Sequence, residues 1–160
     1  MWAVAPLIAF AAAKSAGVGW AAVPVLIAGL SPFLVLMASF LTKKAYWKLS
    51  AIDYACGVLS ALALSLWWAT RDPSLAIIFA ILSDGLATAP TFMKAWRFPQ
   101  TESIWPYATG VFGSLVSLIA VTTWVFSGYG FPAYLLVANA LVIVAITRKR
   151  AISVNFLLIF

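Results

Sequence analysis

Long apolar blocks alternate with short polar or Gly- and Pro-containing breaks six times along the 160 residues. The blocks cover about 2–17, 20–42, 50–70, 73–95, 104–126 and 131–147. Their apolar residues are continuous rather than alternating, which is the pattern of helices and not of barrel strands. A helix rises about 1.5 Å per residue and needs roughly 20 residues to cross a bilayer core. The second to fifth blocks meet that length, the sixth sits at its lower limit and the first is short. The predicted fold class is therefore all-α: an integral membrane helical bundle with six transmembrane helices. No charged region precedes the first block, so it does not read as a cleaved signal peptide.

The breaks carry their own signals. Asp72-Pro73 predicts a tight connection, with Pro73 in the first turn of the fourth helix. Pro99 marks the loop between the fourth and fifth helices, and Gly128, Gly130 and Pro132 are predicted to separate the fifth from the sixth. The tail, residues 151–160, is apolar but too short to span, and is expected to lie in the interface or on a neighbour.

Composition supports the bilayer as solvent. Hydrophobic residues make up 65% of the chain and charged residues 9%, against about a quarter charged in a soluble domain. There is no His, and Cys56 is the single cysteine. A disulfide framework within the chain is excluded, and the usual ligands of zinc or haem are missing. No metal site or cofactor is expected, and the ingredients of a membrane enzyme are thin.

The net charge of +6 would suggest nucleic acid if it were clustered at random, but its placement follows topology. Lys43, Lys44 and Lys48, then Lys94 and Arg97, then Arg148, Lys149 and Arg150 all fall on one face of a six-span chain, which holds eight of the ten basic residues. Lys14 and Arg71 fall on the other. The positive-inside rule makes the rich face cytoplasmic. The expectation is a multi-pass protein of the cytoplasmic (inner) membrane with its C-terminus inside. Its partner is the lipid bilayer and not nucleic acid, and a homo-oligomer stays open. Trp2, Trp47, Trp96 and Trp105 fall at predicted cytoplasmic ends, and Trp20, Trp67, Trp68 and Trp124 at predicted outer ends, as headgroup-level aromatics do.

Asp84 is the sharpest candidate, because it lies at the middle of the fourth helix, where an ionisable group is costly unless it meets a cavity, a partner or a proton. Helical spacing puts Asp84, Thr88 and Thr91 on one face, a polar stripe leading toward Lys94. That stripe favours a substrate-binding or proton-coupling carboxylate over an Asp that locks two helices together. Asn139, near the middle of the sixth helix, would hold a polar solute or bond a neighbouring helix. A cavity lined by Asp84 and Asn139 favours transport, and a dry packed centre favours a structural role.

Pro6, Pro24, Pro32, Pro90 and Pro106 lie within helices, where proline removes a backbone bond and tends to kink. Ser114 and Ser117, with Gly110 and Gly113, read as packing. Asp53 is expected to pair with Lys48 or water, and Glu102 to be a solvated loop carboxylate.

The stretch from Pro90-Thr91 through Phe98-Pro99-Gln100 to Ser103 resembles a PQ-loop motif. That is the signature of the SWEET and PQ-loop superfamily of membrane transporters, whose members resemble two three-helix bundles joined by a linker helix. The resemblance implies an incomplete first bundle over 1–42, a linker helix over 43–72 and a second bundle over 73–147, followed by a basic and apolar tail over 148–160. It further implies that the first of seven helices is lacking. Pro6, Pro90 and Pro106 would match gating prolines of the family, and Asn139 its solute-contacting Asn. Thr91 stands where the family has Gln. Asp84 resembles a feature of the proton-linked amino-acid exporters of the superfamily rather than of the sugar carriers. More narrowly, the chain looks like a set of small bacterial membrane proteins that share Ala45-Tyr-Trp-Lys-Leu-Ser50, Asp84 and Pro90-Thr91. The functional expectation is a transporter of a small polar solute working by alternating access, with Asp84 as the place for proton coupling. The alternative is a non-transporting membrane protein, receptor-like or an assembly partner.

Overall fold

The computed structural model describes residues 3–41 and 51–157. Trp2, Lys43, Lys44 and the whole motif at 45–50, with Trp47 and Lys48, lie outside the described residues, as do the side chains of Asp53, Lys149 and Arg150. The described residues form six α-helices and no strand: α1 (Val4–Ser15), α2 (Val23–Leu41), α3 (Ala51–Thr70), α4 (Pro73–Arg97), α5 (Trp105–Ile119) and α6 (Phe126–Leu157). Short 3-10 turns precede α2 at Trp20–Ala22 and α5 at Pro99–Thr101.

Among the described residues, three apolar helical stretches are long enough to cross a membrane: Trp20–Ala38 (19 residues), Pro73–Arg97 (25 residues) and Phe126–Arg148 (23 residues). They mark a membrane-associated chain, since a soluble fold has no way to cover the exposed Leu34, Val35, Leu82 and Val137 on these stretches. Exposed Trp20, Trp105 and Trp124 sit at helix ends, where amphipathic rings prefer to lie.

Five helices close a ring. α1 packs on α2, α2 on α5, α5 on α6, α6 on α4, and α4 back on α1. α3 lies outside the ring, packed on α4 with a smaller contact to α1, and a Ser60–Ser83 hydrogen bond of 3.1 Å joins α3 to α4. The α3–α4 turn is built as its sequence predicts. Arg71 takes the left-handed conformation (φ 56°) that ends α3, the Asp72 carboxylate accepts the Ser74 N–H at 2.8 Å, and Pro73 takes the first position of α4.

The α1–α4 contact depends on small residues. Ala5, Ala9 and Ala12 of α1 meet Ala76, Ile77 and Ala80 of α4, all nearly or wholly inaccessible. Without a hydrophobic driving force in lipid, helices associate by close packing, and alanines at four-residue spacing let the backbones approach. On α4 the buried positions Ala76, Ile77, Ala80, Ser83, Asp84 and Ala87 form one stripe, while Ile78, Leu82 and Leu86 face outward.

Two boundaries differ from the sequence expectation. α5 ends at Ile119 rather than near 126, and its 15 residues give about 22 Å, short of a bilayer core. The break falls at 120–125, and Gly128, Gly130 and Pro132 lie inside α6. Glycine and proline are tolerated there because the freed backbone groups find local partners: Gly128 N–H bonds Val125 O at 2.8 Å. A Cβ on Gly130 would sit 2.8 Å from the Phe126 ring, so the glycine makes room for that ring along the helix. The helix of α6 also runs through 151–157, so most of the tail continues α6.

Candidate functional site

The ring encloses a cavity of about 530 Å³, lined from α1, α2, α4, α5 and α6. Asp84 and Thr88 enter it from α4, and Asn139 from α6. Asp84 is only 7% exposed. Its Oδ2 accepts the Tyr134 hydroxyl at 2.9 Å and, at 3.5 Å, the Thr88 hydroxyl. Tyr134 is the functional-site residue that the sequence did not single out. The need of a buried carboxylate for a donor was legible, but which helix would provide it depends on the α4–α6 packing.

Asn139 reaches the cavity through a gap left by a missing side chain. Its Nδ2 donates to Leu135 O at 2.7 Å. A Cβ on Gly110 of α5 would lie 2.6 to 2.9 Å from the Asn139 amide atoms, so the glycine gives the amide its place at the α5–α6 contact. Ser114 and Ser117 bond backbone carbonyls as packing residues do: Ser114 to Gly110 O at 2.8 Å, and Ser117 to Ala21 O across the α5 contact with the turn before α2. Both also border the cavity.

Thr91 does not line the cavity. It shares the angular position of Asp84 but lies seven residues further along, about 10 Å up the axis. Pro6 and Pro106 border the cavity, as do Pro24, Pro32 and Pro132, while Pro90 is exposed on α4 and does not. The expectation that each proline removes a helical bond fails for three of them. Pro6, Pro24 and Pro106 lie in the first turns of α1, α2 and α5, where the N–H has no partner in any case. Pro32 and Pro90 lie in helix interiors.

Glu102 is not a solvated loop carboxylate. It is ion-paired with Lys94 at 2.8 Å, its side chain 16% exposed, and it accepts the Tyr107 hydroxyl at 3.3 Å. Tyr107 also lines the cavity, so this cluster ties the α4–α5 connection to one cavity end. At the same end Arg148 donates to Trp96 O at 2.9 Å and stacks on the Trp96 ring. Lys94, Arg97 and Arg148 therefore share one end of the bundle.

The cavity is not sealed. Ile27 of α2 and Phe112 of α5 both border it and are 56% and 70% exposed. Among the described residues no group of three or more potential metal ligands occurs.

No protein-family model, curated protein or solved structure matches this chain. The PQ-loop likeness rests on the residues that carry it.

Proposed function

We propose that this chain is a small-solute carrier of the membrane that works by alternating access around the central cavity, with Asp84 as the proton-coupling group. The observation that carries the reading is the cavity of about 530 Å³ bordered by both Asp84 and Asn139. It lies within the size range of small-molecule sites, apolar walls with a few convergent polar groups. A structural clamp would have no use for an open space beside its carboxylate. The PQ-loop likeness points the same way and supplies the six-span, SWEET-like reading, in which Pro6 and Pro106 serve as hinge positions beside the solute. Reconstituted into liposomes with an imposed pH gradient, the wild-type chain should accumulate a member of one of four classes: sugars, amino acids, nucleosides or organic cations. Failure to move any of them would overturn the reading.

The orientation in this reading puts the Lys94, Arg97 and Arg148 end in the cytoplasm. In a Cys56→Ser background, Arg97→Cys should be shielded from impermeant thiol reagents in intact cells, and Thr122→Cys, exposed in the break between α5 and α6, should be labelled. The reverse pattern would invert the topology.

A further inference from the structure

We infer that the cavity is built for an organic ammonium ion with an apolar body. The inference rests on the reading of the cavity as a solute site and names the class of solute. It follows from which protons the cavity has left to offer.

The polar residues on the wall have already used their donors. Ser31 donates to Ile27 O at 3.0 Å, and Thr109 to Trp105 O at 3.1 Å and Pro106 O at 2.9 Å. Ser114 and Ser117 donate to Gly110 O and Ala21 O, and Thr88 to Asp84. The Tyr107 hydroxyl donates to Glu102. A hydroxyl carries one proton and two lone pairs, so what these groups turn to a guest is acceptor capacity. Asn139 keeps one amide N–H beyond the one given to Leu135. A sugar presents donors and acceptors in equal measure and would leave most of its acceptors without a partner on the wall, which costs it hydrogen bonds it makes in water.

Charge points the same way. Asp84 borders the cavity, and no Lys or Arg does among the described lining residues. Both of its hydrogen bonds go to Oδ2, so Oδ1 accepts none among the described residues. An anion would meet this carboxylate with no compensating cation. An ammonium group would pair with it and donate to the surrounding oxygens. Phe112 and Tyr107 add aromatic rings to the wall, and such rings attract cations. The remaining wall is aliphatic, and exposed Ile27, Phe112 and Val116 form an apolar rim where α2 meets α5, which suits a hydrocarbon body.

The test uses the full chain in nanodiscs and four probes: 4-phenylbutylammonium, 5-phenylpentanoate, 4-phenylbutanol and glucose. The first three share a body and differ in the head group, so membrane partitioning of the body is common to them. The ammonium ion should bind saturably at one site per chain, at least tenfold more tightly than the other three. Asp84→Asn should erase that preference and Asp84→Glu should retain it. Equal or tighter binding of the carboxylate, the alcohol or glucose by the wild type overturns the inference without reliance on any variant. Saturable ammonium binding with no uptake of any solute would remove the carrier reading and leave this one standing. Uptake of a sugar by a protein with no ammonium preference would do the opposite.

Discussion

Asp84→Asn should abolish solute accumulation driven by a pH gradient. The two side chains have the same shape, and the amide oxygen accepts the Tyr134 hydroxyl as Oδ2 does at 2.9 Å. What the substitution removes is the ability to take and release a proton. No other carboxyl group borders the cavity among the described residues. Tyr134, packed on Asp84 from α6, and Tyr107, from α5, are the other titratable groups facing this region. Phenols ordinarily lose their protons near pH 10, so neither replaces Asp84 at neutral pH. Glu102 is engaged with Lys94 and Tyr107. Initial rates of gradient-driven uptake should fall at least tenfold, and counterflow should persist for a neutral solute, which does not need the carboxylate as a counter-ion. Folding should be intact or improved, because a carboxylate at bilayer depth is costly in its charged form. A variant that unfolds would identify Asp84 as a structural clamp, and one that keeps full pH-driven uptake would exclude it from coupling.

Ala80→Leu should be the most damaging single change to the fold. Ala80 has no accessible surface and lies in the cluster formed by Ala5, Ile8, Ala9, Ala12, Ala76, Ile77 and Phe131. A leucine there has nowhere to go except into α1. Overpacking a filled interior costs about 1–3 kcal/mol. α1 is also the shortest of the six helices, at 12 residues, and α4 is the helix it packs on most. The midpoint of thermal unfolding in detergent should drop well below that of the wild type. Leucine in place of outward-facing Ile78 should leave it unchanged. Equal midpoints for both variants would mean that the α1–α4 seam is not close-packed.

The helices were legible because each of them is a continuous apolar run, and the Asp72-Pro73 turn because its two residues each impose a local geometry. The end of α5 was not. Thr122 and Thr123 interrupt the apolar run weakly, whereas Gly128, Gly130 and Pro132 look like breakers and yet sit within α6. Lipid-embedded helices keep such residues when neighbours and local bonds replace what they give up. Within the site, Asp84 stood out because a lone carboxylate in an apolar helix is expensive, and Thr88 followed from spacing. Tyr134 and the Gly110–Asn139 fit depend on how α4, α5 and α6 meet, which no single helix encodes. Thr91 shows the limit of a helical wheel: it gives the angle around the axis but not whether the cavity extends that far along it.

A wet, solute-accessible cavity, rather than a dry packed core, is what the carrier reading requires of the middle of this bundle. It is tested most directly by Asn139→Cys in a Cys56→Ser background, reconstituted in nanodiscs and exposed to the water-soluble 2-(trimethylammonium)ethyl methanethiosulfonate. Val137→Cys, two residues away on the exposed outer face of α6, reports on lipid, and Thr122→Cys, exposed between α5 and α6, reports on the end of the bundle. The cysteine at 139 should be modified at a rate comparable with the one at 122, while the one at 137 stays unreacted. A cysteine at 139 as inert as the one at 137 would contradict it.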